Sequence, residues 1–194
     1  MTGMRGRRAS ETLVVVSGLP AAGKSSLARR LARDLGIVSL TRDQLKVPIW
    51  DLAPFLPESG QWRIGRANRL VFERALAAVL ESGLPVVADG NFNWPHDREG
   101  LRSLVAERRL VTFELCLWAD GEVLRRRFGE RADPPLDDGL RPLFEEAVSR
   151  PREPVTTGER VELDTTEFSA LEEAYPGLVD RLRSFLGAAH QPPE

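Results

Sequence analysis

The fold of this chain is decided by residues 18–26, Gly18-Leu19-Pro20-Ala21-Ala22-Gly23-Lys24-Ser25-Ser26. They fit the pattern G-x-x-x-x-G-K-[ST], in which the backbone wraps around phosphate oxygens and turns its N–H groups inward. The apolar run 13–16 before them predicts a buried strand. The helical stripe after them ends at Gly36, a natural helix stop. A strand, a glycine-rich loop and a helix in this order predict a binding site for the phosphates of a nucleoside triphosphate.

Each residue type in this loop has a chemical task. We expect the Lys24 side chain to reach the β and γ phosphates and the Ser25 hydroxyl to ligate Mg²⁺. The helix that begins near Lys24 adds the positive end of its dipole. The predicted nucleotide-binding residues of the loop are Gly18, Ala21, Ala22, Gly23, Lys24, Ser25 and Ser26. The alternative is a glycine-rich turn that carries an ordinary surface lysine.

Length and composition favour a single globular domain. The chain has 194 residues, of which 42% are hydrophobic and 29% are charged, and this mixture excludes a disordered chain. Its apolar runs are far shorter than the roughly 20 residues of a membrane-spanning helix, and no signal peptide is recognisable. Cys116 is the single cysteine, which excludes an internal disulfide and a zinc site built from several cysteines. We therefore expect a cytoplasmic protein without a membrane partner.

The charge balance argues against a dedicated nucleic-acid-binding protein. The formal net charge is −2, whereas proteins that bind duplexes usually carry a basic excess. All but two of the 27 basic residues are arginine, and the two lysines are Lys24 and Lys46. Nucleic acid is thus a less favoured partner than a small molecule.

Alternating strand and helix patterns predict a parallel α/β sheet. The expected strands are 13–16, 37–40, 85–89, 110–117 and 161–163. The expected helices after the first are 61–81, 95–109, 122–131, 140–150 and 169–186. Pro176 is expected to begin a second segment of the last helix. The proline-rich and aromatic range 47–60 predicts a loop or a short helical insert.

An aspartate follows each of two predicted strands, Asp43 after the second and Asp89 after the third. Ligands of parallel sheets bind at the carboxyl ends of the strands, so both side chains should face the γ-phosphate. A carboxylate there accepts a proton from an attacking hydroxyl. The alternatives are a helix N-cap for Asp43 and an Asp-Gly turn for Asp89.

Two segments carry a resemblance to a known family. Thr41-Arg42-Asp43-Gln44-Leu45-Lys46 and Val87-Ala88-Asp89-Gly90-Asn91-Phe92-Asn93 resemble the P-loop kinases of the polynucleotide 5′-kinase type. That group is similar to gluconate kinase, chloramphenicol phosphotransferase and the zeta toxins. The resemblance runs from about residue 13 to residue 166. It implies a P-loop sandwich whose five-stranded parallel sheet has the order 2-3-1-4-5, with a helical lid.

The resemblance also implies roles for individual residues. Asp43 would be the general base, and Asp89 and Asn91 would line the acceptor side. Arg42 and Lys46 match basic positions that handle substrate phosphate. Lys46 stands where the family has arginine, and lysine does not grip phosphate in bidentate fashion.

The resemblance also implies that the arginine-rich predicted helix 122–131 forms part of the lid. Arg127 and Arg131 are four residues apart and share one helix face. The resemblance implies that Arg131 contacts the transferring phosphoryl group and Arg127 the nucleotide, whereas the alternative is a solvated basic face. Thr166, after the last strand, would lie near the adenine. The chain then divides into a disordered arm at 1–10, one P-loop kinase domain at 11–188 with a lid at about 125–150, and a tail at 189–194.

Together these features predict a phosphotransferase with an alcohol group as acceptor. ATP and Mg²⁺ would serve it, and the acceptor would be a small hydroxylated molecule. Range 47–62 contains two acids and no base, and its aromatic residues suit a pocket wall. The aromatic residues predicted to form this wall are Trp50, Phe55 and Trp62 of the range, together with Trp94 further along the chain. The alternatives are a polynucleotide 5′-hydroxyl kinase, since three arginines follow within 63–69, and an ATPase switch without an acceptor.

Overall fold

A parallel sheet forms the centre of the protein. The computed structural model describes residues 11–50, 61–130 and 140–189, except for the side chains of residues 50, 61–63, 140 and 141. The strands in these ranges are β1 (Thr12–Gly18), β2 (Val38–Thr41), β3 (Val86–Asp89), β4 (Val111–Trp118) and β5 (Glu159–Asp164). Their order in the sheet is β2-β3-β1-β4-β5, and every pairing is parallel. The predicted fold class and strand order are confirmed.

Helices connect these strands. They are α1 (Lys24–Leu35), α2 (Arg42–Trp50), α3 (Gln61–Glu81), α4 (Pro95–Arg108), α5 (Gly121–Gly129), α6 (Leu140–Ser149) and α7 (Phe168–Ala189). None of the helices in the described ranges is long and apolar enough to cross a membrane.

The central strand β1 is buried along its whole length because both faces of the sheet are covered. Val14 and Val16 pack into a core that includes residues of α1 and α7. Leu13 and Val15 point to the other face and pack with residues of α3 and α4. This explains why the predicted strand 13–16 has an uninterrupted apolar sequence rather than an alternating one.

Strand register aligns the carboxyl ends that matter for the site. Val16 lies opposite Asp89 of β3, and Thr41 of β2 lies opposite the same aspartate. The loop after β1, the end of β3 and the start of α2 therefore meet at one edge of the sheet.

Helix α1 has the predicted bounds for a local reason. It begins after Gly23, whose φ of 86° is in the left-handed region, and it ends at Gly36, whose φ is 67°. Its predicted apolar face is buried, and the fully covered side chains are Leu27, Ala28, Leu31 and Ala32.

Two helices differ from the sequence expectation. The first four residues of range 47–60 belong to α2, which begins at Arg42 directly after β2. The prediction that Pro176 begins a separate segment is wrong, because α7 is continuous from Phe168 to Ala189. Proline removes one backbone hydrogen bond from a helix. Tyr175 and Leu178 on either side of it are buried in the same core, and this packing keeps both halves of α7 in line.

Several expectations fall outside the described ranges. These are the arm at 1–10, the second part of the insert at 51–60, the lid residues 131–139 with Arg131, and the tail after Ala189. Helices α5 and α6 cover the described parts of the range predicted to form a lid, which stays a prediction.

Candidate active site

The loop between β1 and α1 has the backbone geometry that its sequence predicts. Gly18 has a φ of 125°, and a Cβ there would collide with the backbone of Leu117, so glycine is required. Ala21 has a φ of 63°, an uncommon value for a residue with a side chain and a form of strain that clusters at functional sites. No side chain caps the start of α1 at Gly23. The first-turn N–H groups of α1 are thus available to an anion.

The Lys24 ammonium lies across this loop. Its Nζ donates a hydrogen bond to the Leu19 carbonyl oxygen at 2.7 Å. Gly23, Lys24, Ser25 and Ser26 all line the same large cavity. The lysine charge therefore lies beside the uncapped helix start, where both would attract phosphate.

Ser25 and Asp89 form the contact that joins the loop to β3. The Ser25 hydroxyl donates to Asp89 Oδ2 at 2.6 Å. Asp89 is only 2% exposed, and its other oxygen, Oδ1, is buried and has no hydrogen-bond partner among the described residues. Burial raises the pKa of the Asp89 carboxyl, although the Lys24 charge and the Ser25 hydrogen bond oppose this shift. Unlike the neighbouring Ser25, Asp89 is behind the cavity wall rather than among its lining residues.

These two residues fit a magnesium ion. A carboxylate and a hydroxyl are hard oxygen donors, and Mg²⁺ is commonly held by one or two protein groups together with substrate phosphates. The described residues contain no group of three or more His, Cys, Asp or Glu side chains that could hold a metal by themselves. The unpartnered Asp89 oxygen beside the Ser25 hydroxyl suits an ion that phosphate completes.

The large cavity has a volume of about 390 Å³ and joins four parts of the chain. The phosphate loop forms one wall, and α2 contributes Asp43 and Lys46 opposite it. The loop before α4 contributes Asn91 and Trp94. The apolar wall comes from α5 and α6 and consists of Phe128, Leu143 and Phe144.

Phe128 of α5 and Phe144 of α6 meet at this cavity. Their rings stack with centroids 3.9 Å apart and an interplanar angle of 24°. Sequence reasoning assigned neither residue to the site, since single phenylalanines in helices more often belong to a core.

A smaller cavity of about 150 Å³ shares part of this lining. Both cavities are lined by Asp43, Lys46, Asn91 and Trp94. The smaller one adds Arg42, Gly65, Asn68 and Asp97. The carboxylate of Asp43 is exposed and lies in the first turn of α2 rather than before it. Asp43 consequently stands where the two spaces meet.

Arg42 already has partners within the protein. Its Nη1 lies 2.9 Å from Asp97 Oδ2 and donates to the Asn91 carbonyl oxygen at 3.2 Å. Asn91 Oδ1 in turn accepts a hydrogen bond from the Asn93 backbone N–H. Arg42 thus joins α2 to the loop before α4, and the charge predicted to meet substrate phosphate is balanced by Asp97.

Arg127 and Thr166 are in contact near Gly23 of the phosphate loop. Beside them lies Phe168, which the sequence analysis did not assign to the site. The Arg127 guanidinium donates to the carbonyl oxygens of Thr165 at 2.7 Å and Thr166 at 2.9 Å. It also lies 4.0 Å from the centre of the Phe168 ring, which is 46% exposed. A Cβ at Gly23 would lie 3.2 Å from that ring. Arg127 and Phe168 therefore form a flat, exposed surface beside the phosphate loop.

Among the predicted aromatic wall residues, the structure brings Trp94 to both cavities. Phe55 and the side chains of Trp50 and Trp62 are outside the part of the chain that the structure describes. Asn68 and Asp97 were also missed. For Asn68 the sequence held a signal, because an amide interrupts the apolar stripe of α3 between Ile64 and Phe72.

Comparison with known proteins gives a family and a fold. The model of a family described as AAA domain matches residues 13–147, which is more than half of the chain. Uncharacterized proteins of Mycobacterium bovis and Mycobacterium tuberculosis are 31% identical over 133 residues, covering 65% of this chain. The match covers 27% of each relative, so the chain spans about a quarter of their length.

Several solved structures similar to this chain are of kinases. A candidate kinase from Chloroflexus aurantiacus has a TM-score of 0.74 and 23% identity over 95% of this chain and all of its own. A gluconokinase from Sinorhizobium meliloti has a TM-score of 0.58 and 23% identity, covering 95% of this chain and 100% of that one. An APS kinase of Mycobacterium tuberculosis, solved with AMPPNP and APS, has a TM-score of 0.53 and 21% identity, covering 86% and 96%. These similarities establish the P-loop kinase fold.

Proposed function

Because the chain belongs to the AAA domain family, we propose that it is an ATP-dependent kinase for a small hydroxylated molecule. The single observation that carries this proposal is the position of Asp43 between the phosphate-loop cavity and a second, smaller cavity. A kinase needs a donor site, an acceptor site and a group at their junction that takes the hydroxyl proton. An ATPase switch needs no second cavity with a carboxylate at the junction.

The donor half is formed by the phosphate loop. Backbone N–H groups of residues 21–25 and the uncapped start of α1 would bind the β and γ phosphates. Lys24 would exchange its present contact with the Leu19 carbonyl for a phosphate oxygen, since both are acceptors. Arg127 and Phe168 would offer the exposed flat surface for the base of the nucleotide.

Ser25 and Asp89 would hold Mg²⁺, which when bound neutralises charge on the β and γ phosphates. Asp89 accepts the Ser25 hydroxyl hydrogen, which directs the lone pairs of Ser25 away from β3 and toward the cavity. This proposed role differs from the one that the family resemblance implied for Asp89, which was to line the acceptor side.

The acceptor half is formed by α2, α3 and the loop before α4. Asp43 would accept the proton of the attacking acceptor hydroxyl. The oxygen of that hydroxyl would bond to the γ-phosphorus while the bond between the γ-phosphorus and ADP breaks. Lys46, beside it in both cavities, would hold positive charge near the transferring group. Arg131 remains the proposed arginine of the lid for this group.

The test measures transfer of labelled γ-phosphate from ATP to sugars, polyols, nucleosides, antibiotics with free hydroxyls and a 5′-hydroxyl oligonucleotide. With any accepted substrate, Asp43→Asn should lower transfer at least about a hundredfold, the usual scale of general base catalysis. ATP affinity and thermal stability should stay unchanged because Asp43 is exposed. Asp180→Asn makes the same change on an exposed aspartate of α7 that pairs with Arg183, and it should have no effect.

Each rival predicts a different result. A polynucleotide kinase would transfer phosphate to the oligonucleotide with a steep decline as salt rises. An ATPase switch would release inorganic phosphate without labelling any acceptor. Either result would refute the proposal, as would full transfer by folded Asp43→Asn.

A further inference from the structure

Asn68 occupies a core position on α3 without a partner there. Ile64 and Phe72, four residues before and after it, are buried on the same helix face. Asn68 is itself only 2% exposed, and its Oδ1 has no hydrogen-bond partner within the ranges that the structure describes. A buried amide oxygen without a donor destabilises the fold, so an apolar residue would serve packing better here. Asn68 lines the smaller cavity, and a ligand in that cavity can supply the donor.

Asp97 repeats this pattern from the other side of the same cavity. It is 3% exposed in the first turn of α4, and its Oδ2 pairs with Arg42 at 2.9 Å. Among the described residues its Oδ1 has no hydrogen-bond partner, and Nε2 of the exposed His96 imidazole lies 3.5 Å from it. Two buried oxygens from different helices thus belong to residues lining one small space.

The charges of this lining cancel. The positive charge of Arg42 is balanced by the carboxylate of Asp97. The positive charge of Lys46 and the negative charge of Asp43 lie in the lining of the same cavity. Binding of a phosphate or carboxylate in a small cavity favours an uncompensated cation, whereas hydroxyl groups need neutral or anionic acceptors. Trp94 adds an aromatic surface to the same lining. Acceptor oxygens beside an aromatic ring suit a molecule with many hydroxyls and an apolar CH face.

We propose that the smaller cavity binds a compact, uncharged polyol as the phosphoryl acceptor, recognised through Asn68 and Asp97. This inference rests on the proposed kinase function and specifies its substrate class. Two hydroxyls donate to the buried oxygens of Asn68 and Asp97, and a third hydroxyl points to Asp43. Asp43 takes the proton of that third hydroxyl, and the hydroxyl oxygen of the polyol bonds to the γ-phosphorus of ATP. ADP leaves with the electrons of the broken P–O bond. Asn68 then determines specificity.

The first experiment compares matched acceptors with the whole chain. Sorbitol is paired with gluconate, ribose with ribose 5-phosphate and glycerol with glycerol 3-phosphate, so that each pair differs by one anionic group. Transfer of labelled phosphate from ATP should reach the highest kcat/KM with an uncharged member. A charged member as the best acceptor overturns this inference and leaves the kinase proposal standing. A 5′-hydroxyl oligonucleotide as the best acceptor overturns both proposals. ATP binding without transfer to any acceptor overturns both.

The second experiment replaces Asn68 with an apolar residue of similar size. Asn68→Leu should raise the KM for the best polyol about tenfold, the effect of one lost hydrogen bond in a closed site. ATP affinity should stay unchanged and Tm should not fall, because leucine suits a position between Ile64 and Phe72. Asn68→Asp keeps an oxygen in place and should recover most of the KM. A lower Tm with an unchanged KM would show that Asn68 is only structural.

Ile64→Val is the matched control for packing of α3. Ile64 is buried one turn before Asn68, on the same helix face. Its truncation should lower Tm while leaving the KM for the polyol unchanged, the reverse of the result expected for Asn68→Leu. If both variants raise the KM equally, the effect comes from helix packing and the inference fails.

Discussion

Replacement of Asp89 by asparagine should stabilise the nucleotide-free protein and weaken its use of magnesium. When it is ionised, Asp89 is a buried carboxylate, and its Oδ1 has no hydrogen-bond partner among the described residues. Leaving a buried polar group unsatisfied costs about 1–3 kcal/mol, and more for a charge. The Ser25 hydrogen bond and the Lys24 charge offset part of this cost. We expect a net gain of about 1 kcal/mol in Asp89→Asn, which for a chain of this size raises Tm by about 2–4 °C.

The pH dependence of this gain follows from the direction of the pKa shift. Burial raises the pKa of Asp89 above its ordinary value of 3.8. At a pH below 3.8 the carboxyl is protonated in both the folded and the unfolded state, so wild type and Asp89→Asn should have equal stability. As the pH rises from 3.8 to the raised pKa, the unfolded state loses its proton before the folded state does, so the wild-type protein loses stability relative to the variant. The difference in Tm should be complete once the pH exceeds the raised pKa.

Activity should change in the opposite direction. Even an outer partner that only orients a metal ligand is worth about 10–100-fold in metal affinity or activity. Because Asp89 would hold the ion together with Ser25, Asp89→Asn should need at least about that much more Mg²⁺ for half-maximal transfer. Differential scanning calorimetry and a magnesium titration of phosphoryl transfer check the two halves. Asp164→Asn is the control, since Asp164 also ends a strand but accepts only the Thr166 backbone N–H. A less stable Asp89→Asn protein with unchanged magnesium dependence would mean that Asp89 is only a turn residue.

Two further predictions concern the phosphate loop and its neighbours. Arg127→Lys cannot keep both carbonyl contacts and the stacking on Phe168, so the Kd for ATP should rise about tenfold. The exposed Arg126→Lys should leave the Kd unchanged, and equal Kd values for the two variants would refute a nucleotide role. Gly36→Ala has open space and should cost only about 1–2 kcal/mol in urea unfolding. Gly18→Ala should cost much more because of its backbone collision, and equal losses would contradict this geometry.

The sequence predicted the elements well because the local signals are strong. Helix α1 has an apolar stripe and a glycine with positive φ at each end, and both bounds follow from these features. The wrong expectation at Pro176 arose because a local rule was applied where tertiary packing of Tyr175 and Leu178 decides. Local preference is a weak guide in such a place.

The site was predictable where chemistry is local and unpredictable where partners are distant. Lys24 and Ser25 follow from a contiguous motif. Arg42 and Asp97 form an ion pair although they are 55 positions apart in the sequence. No pattern of residue spacing predicts such a contact. In the sequence, Arg42 lies next to the predicted general base Asp43, and this position suggests that it binds substrate phosphate. The folded chain instead pairs Arg42 with the carboxylate of Asp97.

Buried carboxylates of this protein divide by whether their oxygens have partners, and this division separates structure from function. Glu114 on β4 is fully buried, yet its Oε1 accepts from Ser17 at 2.8 Å and its Oε2 from the backbone N–H groups of Val155 and Thr156. These bonds hold the segment before β5 against the sheet, and no oxygen of Glu114 is left for a ligand. Asp89 is almost as deeply buried, but its Oδ1 has no hydrogen-bond partner in the part of the chain that the structure describes. Since burial costs a carboxylate the same hydration in both places, the unpaired oxygen of Asp89 is explained by a group that arrives with the nucleotide.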